Sequence, residues 1–258
     1  VGDRLLAARL VGVDPDDAVR AEKARGSLPP LALGQRVIDE VWPLVDEIAA
    51  AATAARGGVD ARTVDVRVDL GADGVVAGTV AGLHGSTLVA SAYATVGPRH
   101  RLAAWVRLLA LAASEPAASC DTVTIGRAGR RVGTARIPAV AAPRAVAELR
   151  TLVDLYRRGL REPLPIFART SELLARRPAR AADAWETTDR GFPKEDLEPE
   201  HLLRFGHRQV PFGDLLAEAP RADETGSGWD DDATSRAERY ARRLWAPLLA
   251  VEQRSWPW

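Results

Sequence analysis

Cysteine, lysine and methionine are nearly or entirely missing from this 258-residue chain. The single cysteine, Cys120, excludes a disulfide framework and a cysteine-based zinc site, and it is typical of a reducing compartment. No apolar run reaches the ~18 residues that a membrane-spanning helix needs, and the opening VGDRLLAARL lacks the core of a signal peptide. Because methionine is absent even at the start, we expect a piece of a longer chain. We expect it in the cytoplasm, with no membrane association.

The charges balance overall but not locally. Basic and acidic side chains number 35 each, and only Lys23 and Lys194 are lysines. Residues 127–180 carry 13 arginines against 4 acidic residues, whereas residues 183–232 carry 14 acidic against 5 basic residues. Such an arginine-rich segment can contact DNA phosphates, or it can form a solvated surface or pair with the acidic segment.

Hydrophobic periodicity predicts alternating helices and strands. Asp14 and Pro15 indicate a helix start, and Pro43 is expected to kink or interrupt a long helix over residues 35–56. Strict alternation of apolar and charged residues predicts the first strand. The predicted strands cover residues 64–70, 75–81, 87–93, 121–125 and 131–137, and further helices are expected from residue 98, over 143–158 and over 233–253.

The order helix, three strands, helix, strand is that of the PD-(D/E)xK nuclease fold, although periodicity alone indicates only an α/β domain. We therefore expect an α/β fold with a PD-(D/E)xK nuclease-like core and a helical C-terminal extension. The expected division is an N-terminal helix and linker over residues 1–32, the nuclease-like core over 33–160, and an extension over 161–258 that packs on the core.

Five segments, in order along the chain, resemble the C-terminal region of the RecC family. They are LPPLALG, VAGTVAGLHG, PRHRLAAWVRLLALAA, LVDLYRRGLREPLPIF and RRLWAPLLAVE. RecC is the gamma subunit of the RecBCD enzyme (exodeoxyribonuclease V), and its nuclease-like domain has lost its active site. The resemblance implies a non-catalytic scaffold in double-strand break repair by homologous recombination, with RecB-like and RecD-like partners. It also implies that double-stranded DNA is bound through the parent complex. No cofactor is expected in this domain, because ATP and Mg are bound by other subunits of that complex.

The expected loss of activity can be examined in the residues themselves. Active nucleases of this fold hold a divalent metal with carboxylates on the second and third strands, beside a lysine. The second strand carries Gly78 and Ala81 where Gly-x-x-Asp belongs. The third strand should carry Asp/Glu-x-Lys, and it has Ala90 and Ala92 instead of an acid and a lysine. Residues 75–96 contain no Asp, Glu or Lys. We therefore predict a pseudo-nuclease with no catalytic residue and no metal. The alternatives are an active PD-(D/E)xK nuclease and a stand-alone DNA-binding module.

Two further sets of residues are candidates for binding. Arg127, Arg130 and Arg131 are expected at the tip of a hairpin, where they could contact DNA phosphates. Trp256 and Trp258 are large aromatic residues that either fold back on the domain or form an interface with a partner subunit.

Overall fold

The computed structural model describes residues 1–188, 191–226 and 228–256. The chain forms two compact units, the first of residues Val1–Val68, Val76–Ala142 and Glu252–Trp258, and the second of residues Asp69–Val75 and Pro143–Val251. The expected division into an N-terminal helix with linker, a nuclease-like core and a helical extension stays a prediction. The helix that follows residue 142 groups with the second unit, and the last residues return to the first.

Helices account for much of the chain. The α-helices of the described residues are α1 (Gly2–Leu10), α2 (Pro15–Ala24), α3 (Ala32–Arg56), α4 (Pro98–Ser114), α5 (Ala142–Gly159), α6 (Ala168–Arg176), α7 (Ala182–Trp185), α8 (Pro199–Arg204), α9 (Phe212–Leu216) and α10 (Arg236–Leu249). Short 3-10 helices cover Gly71–Asp73, Pro178–Arg180 and Glu195–Leu197. Within these described parts of the chain, no helix has the length and apolar character needed to cross a membrane.

One six-stranded sheet runs in the order β1-β2-β3-β4-β5-β6. The strands are β1 (Ala61–Asp69), β2 (Val75–His84), β3 (Thr87–Thr95), β4 (Asp121–Ala128), β5 (Arg131–Ile137) and β6 (Gln253–Arg254). β3 and β4 are parallel and α4 connects them, whereas β2/β3, β4/β5 and β5/β6 are antiparallel. The expected α/β class and the order helix, three strands, helix, strand are confirmed.

The core of the first unit lies between α3 and one face of the sheet. Ile38, Val45 and Ile48 of α3 pack with Val123 and Ile125 of β4. This buried stripe runs along α3, which continues through Pro43 as one helix of 25 residues. The expected interruption at Pro43 is therefore absent from α3, because the apolar contacts on both sides of the proline hold the helix together.

The second unit is helical, and α6 packs against α10. Its apolar core includes Phe167, Leu174 and Trp185. Arg236, at the start of α10, is 1% exposed and forms ion pairs with three carboxylates, from Glu162, Glu218 and Glu224. A buried guanidinium surrounded by carboxylates has its charge compensated, so this cluster joins distant segments of the second unit.

The final helix is shorter than predicted. We expected it over residues 233–253, whereas α10 begins after Ser235, whose Oγ accepts a hydrogen bond from the Glu238 backbone N–H at 3.2 Å, and ends at Leu249. The chain leaves the helix because Glu252 forms a buried ion pair with Arg101 and the next residues pair with β5 as β6. These long-range contacts outweigh the local helical pattern.

Candidate functional site around strand β3 and helix α4

The four positions predicted to be a degenerate active site do not all meet in the structure. Gly78 and Ala81 lie on β2 and are exposed, while Ala90 and Ala92 lie on β3 and are partly buried. Ala90 and Ala92 line the same cavity, and neither β2 position belongs to its lining. The structure thus brings together two of the four.

This cavity, which we call the α4 cavity, has a volume of about 300 Å³. Alanines of β3 and Thr124 of β4 form one side, and α4 contributes Arg99, His100 and Arg107. Every ionisable side chain that lines it, within the described part of the chain, is an arginine or a histidine. The cavity therefore offers positive charge and hydrogen-bond donors rather than the oxygen ligands that Mg²⁺ prefers.

Strand periodicity explains why small residues line the α4 cavity. Val89 and Val123 pack in the core on the α3 side of the sheet, and alternate residues of a strand point to opposite faces. Ala90, Ala92 and Thr124 occupy the alternate positions and line the cavity beside α4. Since alanine side chains are short, they leave space between the sheet and the helix.

Other clusters of metal-binding side chains are also relevant to a metal site. Among residues 1–188, 191–226 and 228–256, no group of three or more His, Cys, Asp or Glu side chains could hold an ion. Asp121, at the start of β4, accepts a hydrogen bond from Thr87 Oγ1 at 2.7 Å and pairs with Arg136 Nε at 3.2 Å. Cys120 is 4% exposed, and its burial raises the pKa of the thiol, which is typical of an inert core cysteine.

The three arginines predicted for DNA binding separate into two environments. The hairpin between β4 and β5 is confirmed, and Arg130 and Arg131 are exposed at its turn. Arg130 lies 4.0 Å from Glu40 with its side chain 94% exposed. Arg127 instead lies within β4, where it is half-buried and its guanidinium is 5.1 Å from the ring centroid of Tyr93. The hairpin tip therefore presents two arginines, not three.

The C-terminal aromatic residues can be followed as far as Trp256. Its side chain is partly buried, and a Cβ built on Gly133 of β5 would lie 2.9 Å from Trp256 Cε3. The Arg254 guanidinium is 5.1 Å from the centroid of the Trp256 ring. Trp256 thus packs against β5 of its own unit, and its contact with a partner subunit stays a prediction. Trp258 lies outside the described residues.

Comparison with known proteins identifies the family. A family model described as the RecC C-terminal domain matches residues 1–177. The chain belongs to the RecC C-terminal domain family. It is 41% identical over 259 aligned positions to "RecBCD enzyme subunit RecC" from two strains of Mycobacterium tuberculosis, and 36% identical over 263 positions to the protein of that name from Mycolicibacterium smegmatis. Each comparison covers 98% of this chain but 23% of the relative, so the chain spans about a quarter of the length of these relatives.

Two of the five segments that resemble RecC meet through a contact that the sequence did not reveal. Arg101 belongs to the segment PRHRLAAWVRLLALAA, and Glu252 to RRLWAPLLAVE. Arg101 donates from Nε to Glu252 Oε1 at 2.6 Å, and its Nη2 donates to the other carboxylate oxygen. The two side chains are 1% and 0% exposed. The only signal in the sequence is a cation inside the apolar pattern of α4, three residues after the helix begins.

Proposed function

We propose that this RecC domain is a nuclease-like scaffold without catalytic activity. The order of α3, β1, β2, β3, α4 and β4, with β3 parallel to β4, supports the PD-(D/E)xK core inferred from the sequence. Membership of the RecC C-terminal domain family supports a role inside RecBCD. Fold alone does not decide activity, so the argument depends on the residues of β2 and β3.

The observation that carries the proposal is the chemistry of these two strands. Residues 75–96 contain no Asp, Glu or Lys, so β2 and β3 supply neither a metal-binding carboxylate nor a lysine to stabilise the transition state. The α4 cavity beside β3 is lined by Arg99, His100 and Arg107. Positive charge at this position disfavours a divalent cation, because like charges repel strongly in a partly buried site.

The proposed setting follows from the family. In it the domain helps RecC to dock RecB-like and RecD-like subunits and to guide double-stranded DNA during repair of double-strand breaks by homologous recombination, in the cytoplasm. ATP and Mg²⁺ would be bound by the other subunits. Arg130 and Arg131 are the residues that we propose to contact DNA phosphates, because both are exposed at one hairpin turn.

A nuclease assay tests the loss of activity. The purified 258-residue chain is incubated with linear double-stranded and single-stranded DNA in Mg²⁺ or Mn²⁺, beside an Asp121→Asn variant as the matched control. We expect no cleavage by either protein. Metal-dependent cleavage that disappears in Asp121→Asn, or after any point change within residues 75–96, would establish the active-nuclease alternative instead.

A binding assay tests the scaffold function. The tagged chain is mixed with purified RecB and RecD, and the retained proteins are compared for the unchanged chain, Trp256→Ala and the exposed control Arg20→Ala. We expect at least one subunit to be retained by the unchanged chain and by the control. If the chain binds DNA but retains neither subunit, the domain is a stand-alone DNA-binding module and the scaffold proposal is wrong.

A further inference from the structure

The α4 cavity is lined by a polar group that has no hydrogen-bond partner in the part of the chain that the structure describes. Thr124 is 5% exposed, and its Oγ1 has no hydrogen-bond partner among the described residues. The neighbouring Thr122, two positions earlier on the same face of β4, donates its hydroxyl to the carbonyl of Leu88 at 3.0 Å. Buried hydroxyl groups are nearly always hydrogen-bonded, so an unpartnered one beside a cavity points to an acceptor supplied from outside the chain.

The charge around this hydroxyl is positive. Arg99, His100 and Arg107 line the α4 cavity together with Thr124. The first turn of α4 contains no acidic residue, and its N-cap Gly97 has no side chain to satisfy the free backbone N–H groups. These groups and the helix dipole favour a negatively charged oxygen near the N-terminus of a 17-residue helix.

The remaining walls fit a compact ligand. Ala90, Ala92 and Ala94 bring the backbone of β3 close to the cavity without filling it. Its volume of about 300 Å³ lies at the lower end of the ~300–1,000 Å³ typical of ligand pockets. A tetrahedral phosphate can accept hydrogen bonds from a hydroxyl, an imidazole N–H and guanidinium groups at once. A neutral ligand binds such guanidinium groups less strongly.

We propose that the α4 cavity binds a phosphate group, with Thr124 as the buried hydroxyl donor, Arg99 and Arg107 supplying positive charge, and His100 supplying a ring nitrogen for hydrogen bonding. The phosphate is either free inorganic phosphate or the terminal phosphate of a DNA strand, and both present the same anionic oxygens. This site goes beyond the scaffold function proposed above, because it requires neither RecB nor RecD.

Calorimetric titration of the purified chain tests the site, with inorganic phosphate as the first ligand. Thr124→Val keeps the shape of the side chain and removes the donor, so we expect at least about fivefold weaker binding. Thr124→Ser restores the hydroxyl and should restore binding. Ala92→Leu fills the cavity without changing any charge and should abolish binding. Arg107→Gln should weaken phosphate binding. The control Arg36→Gln, at an exposed position on α3, should keep the phosphate affinity within about twofold of that of the unchanged chain.

A second titration distinguishes the two sources of phosphate. Oligothymidylate with a 5′-phosphate is compared with the same strand carrying a 5′-hydroxyl. If the phosphorylated strand binds more tightly, and Ala92→Leu removes this difference, the site binds the end of a DNA strand. If the two strands bind equally while inorganic phosphate also binds, the site binds the free ion. Absence of phosphate binding by the unchanged chain overturns the proposal. Equal binding by the unchanged chain, Thr124→Val and Ala92→Leu overturns it too, and neither result depends on subunit retention.

Discussion

The pair formed by Arg101 and Glu252 allows a quantitative test of what holds the first unit together. The guanidinium and the carboxylate make two hydrogen bonds with both side chains almost inaccessible to water. The partners are 151 residues apart in the chain, and β6 begins immediately after Glu252. Substitution of Arg101 therefore leaves the buried Glu252 carboxylate without this partner, and substitution of either residue loosens the segment that pairs with β5.

The expected magnitude follows from this burial. Removal of one member of a buried ion pair costs about 3–5 kcal/mol, a large part of the ~5–15 kcal/mol that stabilises a typical domain. Arg101→Met should reduce the free energy of unfolding by about 3–5 kcal/mol, and Glu252→Leu should also destabilise the fold, by more than the loss of an exposed ion pair. The double variant should recover most of the loss, because an apolar pair leaves no buried charge. A single variant of the exposed pair between Arg9 and Asp46, whose side chains are 43% and 42% exposed, should cost less than about 1 kcal/mol.

Urea unfolding followed by tryptophan fluorescence measures these differences. The emission of the seven tryptophans reports on unfolding of the whole chain, and buried Trp105, one turn after Arg101 on α4, contributes to it. The coupling energy comes from the cycle of two single variants and the double variant. If Glu252→Leu costs no more than Arg9→Met, or if the double variant is as unstable as the sum of the single variants, the reasoning from burial fails.

Two further predictions concern DNA binding and acid stability. Arg130→Gln and Arg131→Gln should each reduce the slope of log K for DNA binding against log salt concentration by about one, as expected for one lost phosphate contact. Arg127→Gln should leave this slope unchanged, because the Arg127 guanidinium lies over the Tyr93 ring. An equal reduction in all three variants would contradict this separation. Although burial raises the pKa of Asp196, hydrogen bonds from Thr187 and Gln209 outweigh it and lower that pKa below its ordinary value. Ionised Asp196 therefore stabilises the fold above the unfolded-state pKa of ~3.9, and this stabilisation is lost as the pH falls through the lower folded-state pKa. Asp196→Asn should weaken the decrease in the free energy of unfolding at acid pH, as measured by urea unfolding.

Local patterns in the sequence predicted much of the fold correctly. The alternation of apolar and charged residues predicted β1, where Val64, Val66 and Val68 are buried. Asp14 caps α2 as expected, since its Oδ1 accepts a hydrogen bond from the Asp16 backbone N–H at 2.9 Å. Both features are determined by residues within a few positions of one another, so a short segment of the sequence is enough to predict them.

Long-range contacts account for what the sequence did not reveal. The helical pattern continues past Leu249, yet the chain becomes a strand because β5 offers backbone partners and Arg101 offers a charge. Arg127 looked like a member of a hairpin cluster because its distance from Arg130 in sequence is short. Its strand position and the ring of Tyr93 separate it from that cluster in space. Spacing along the chain does not encode such contacts.

The alanines of β3 connect the two proposals about this RecC domain. In an active nuclease of this fold the third strand carries an acid and, two residues later, a lysine, which is the spacing of Ala90 and Ala92. A carboxylate at either position would oppose the positive charge that the arginines of α4 bring to the cavity. Alanine at both positions adds no carboxylate to a cavity lined by arginines, and this favours an anion over a metal ion as the proposed ligand. Ala92→Glu should therefore abolish phosphate binding by introducing a competing carboxylate, whereas Ala81→Glu, on β2 outside the cavity lining, should leave it intact.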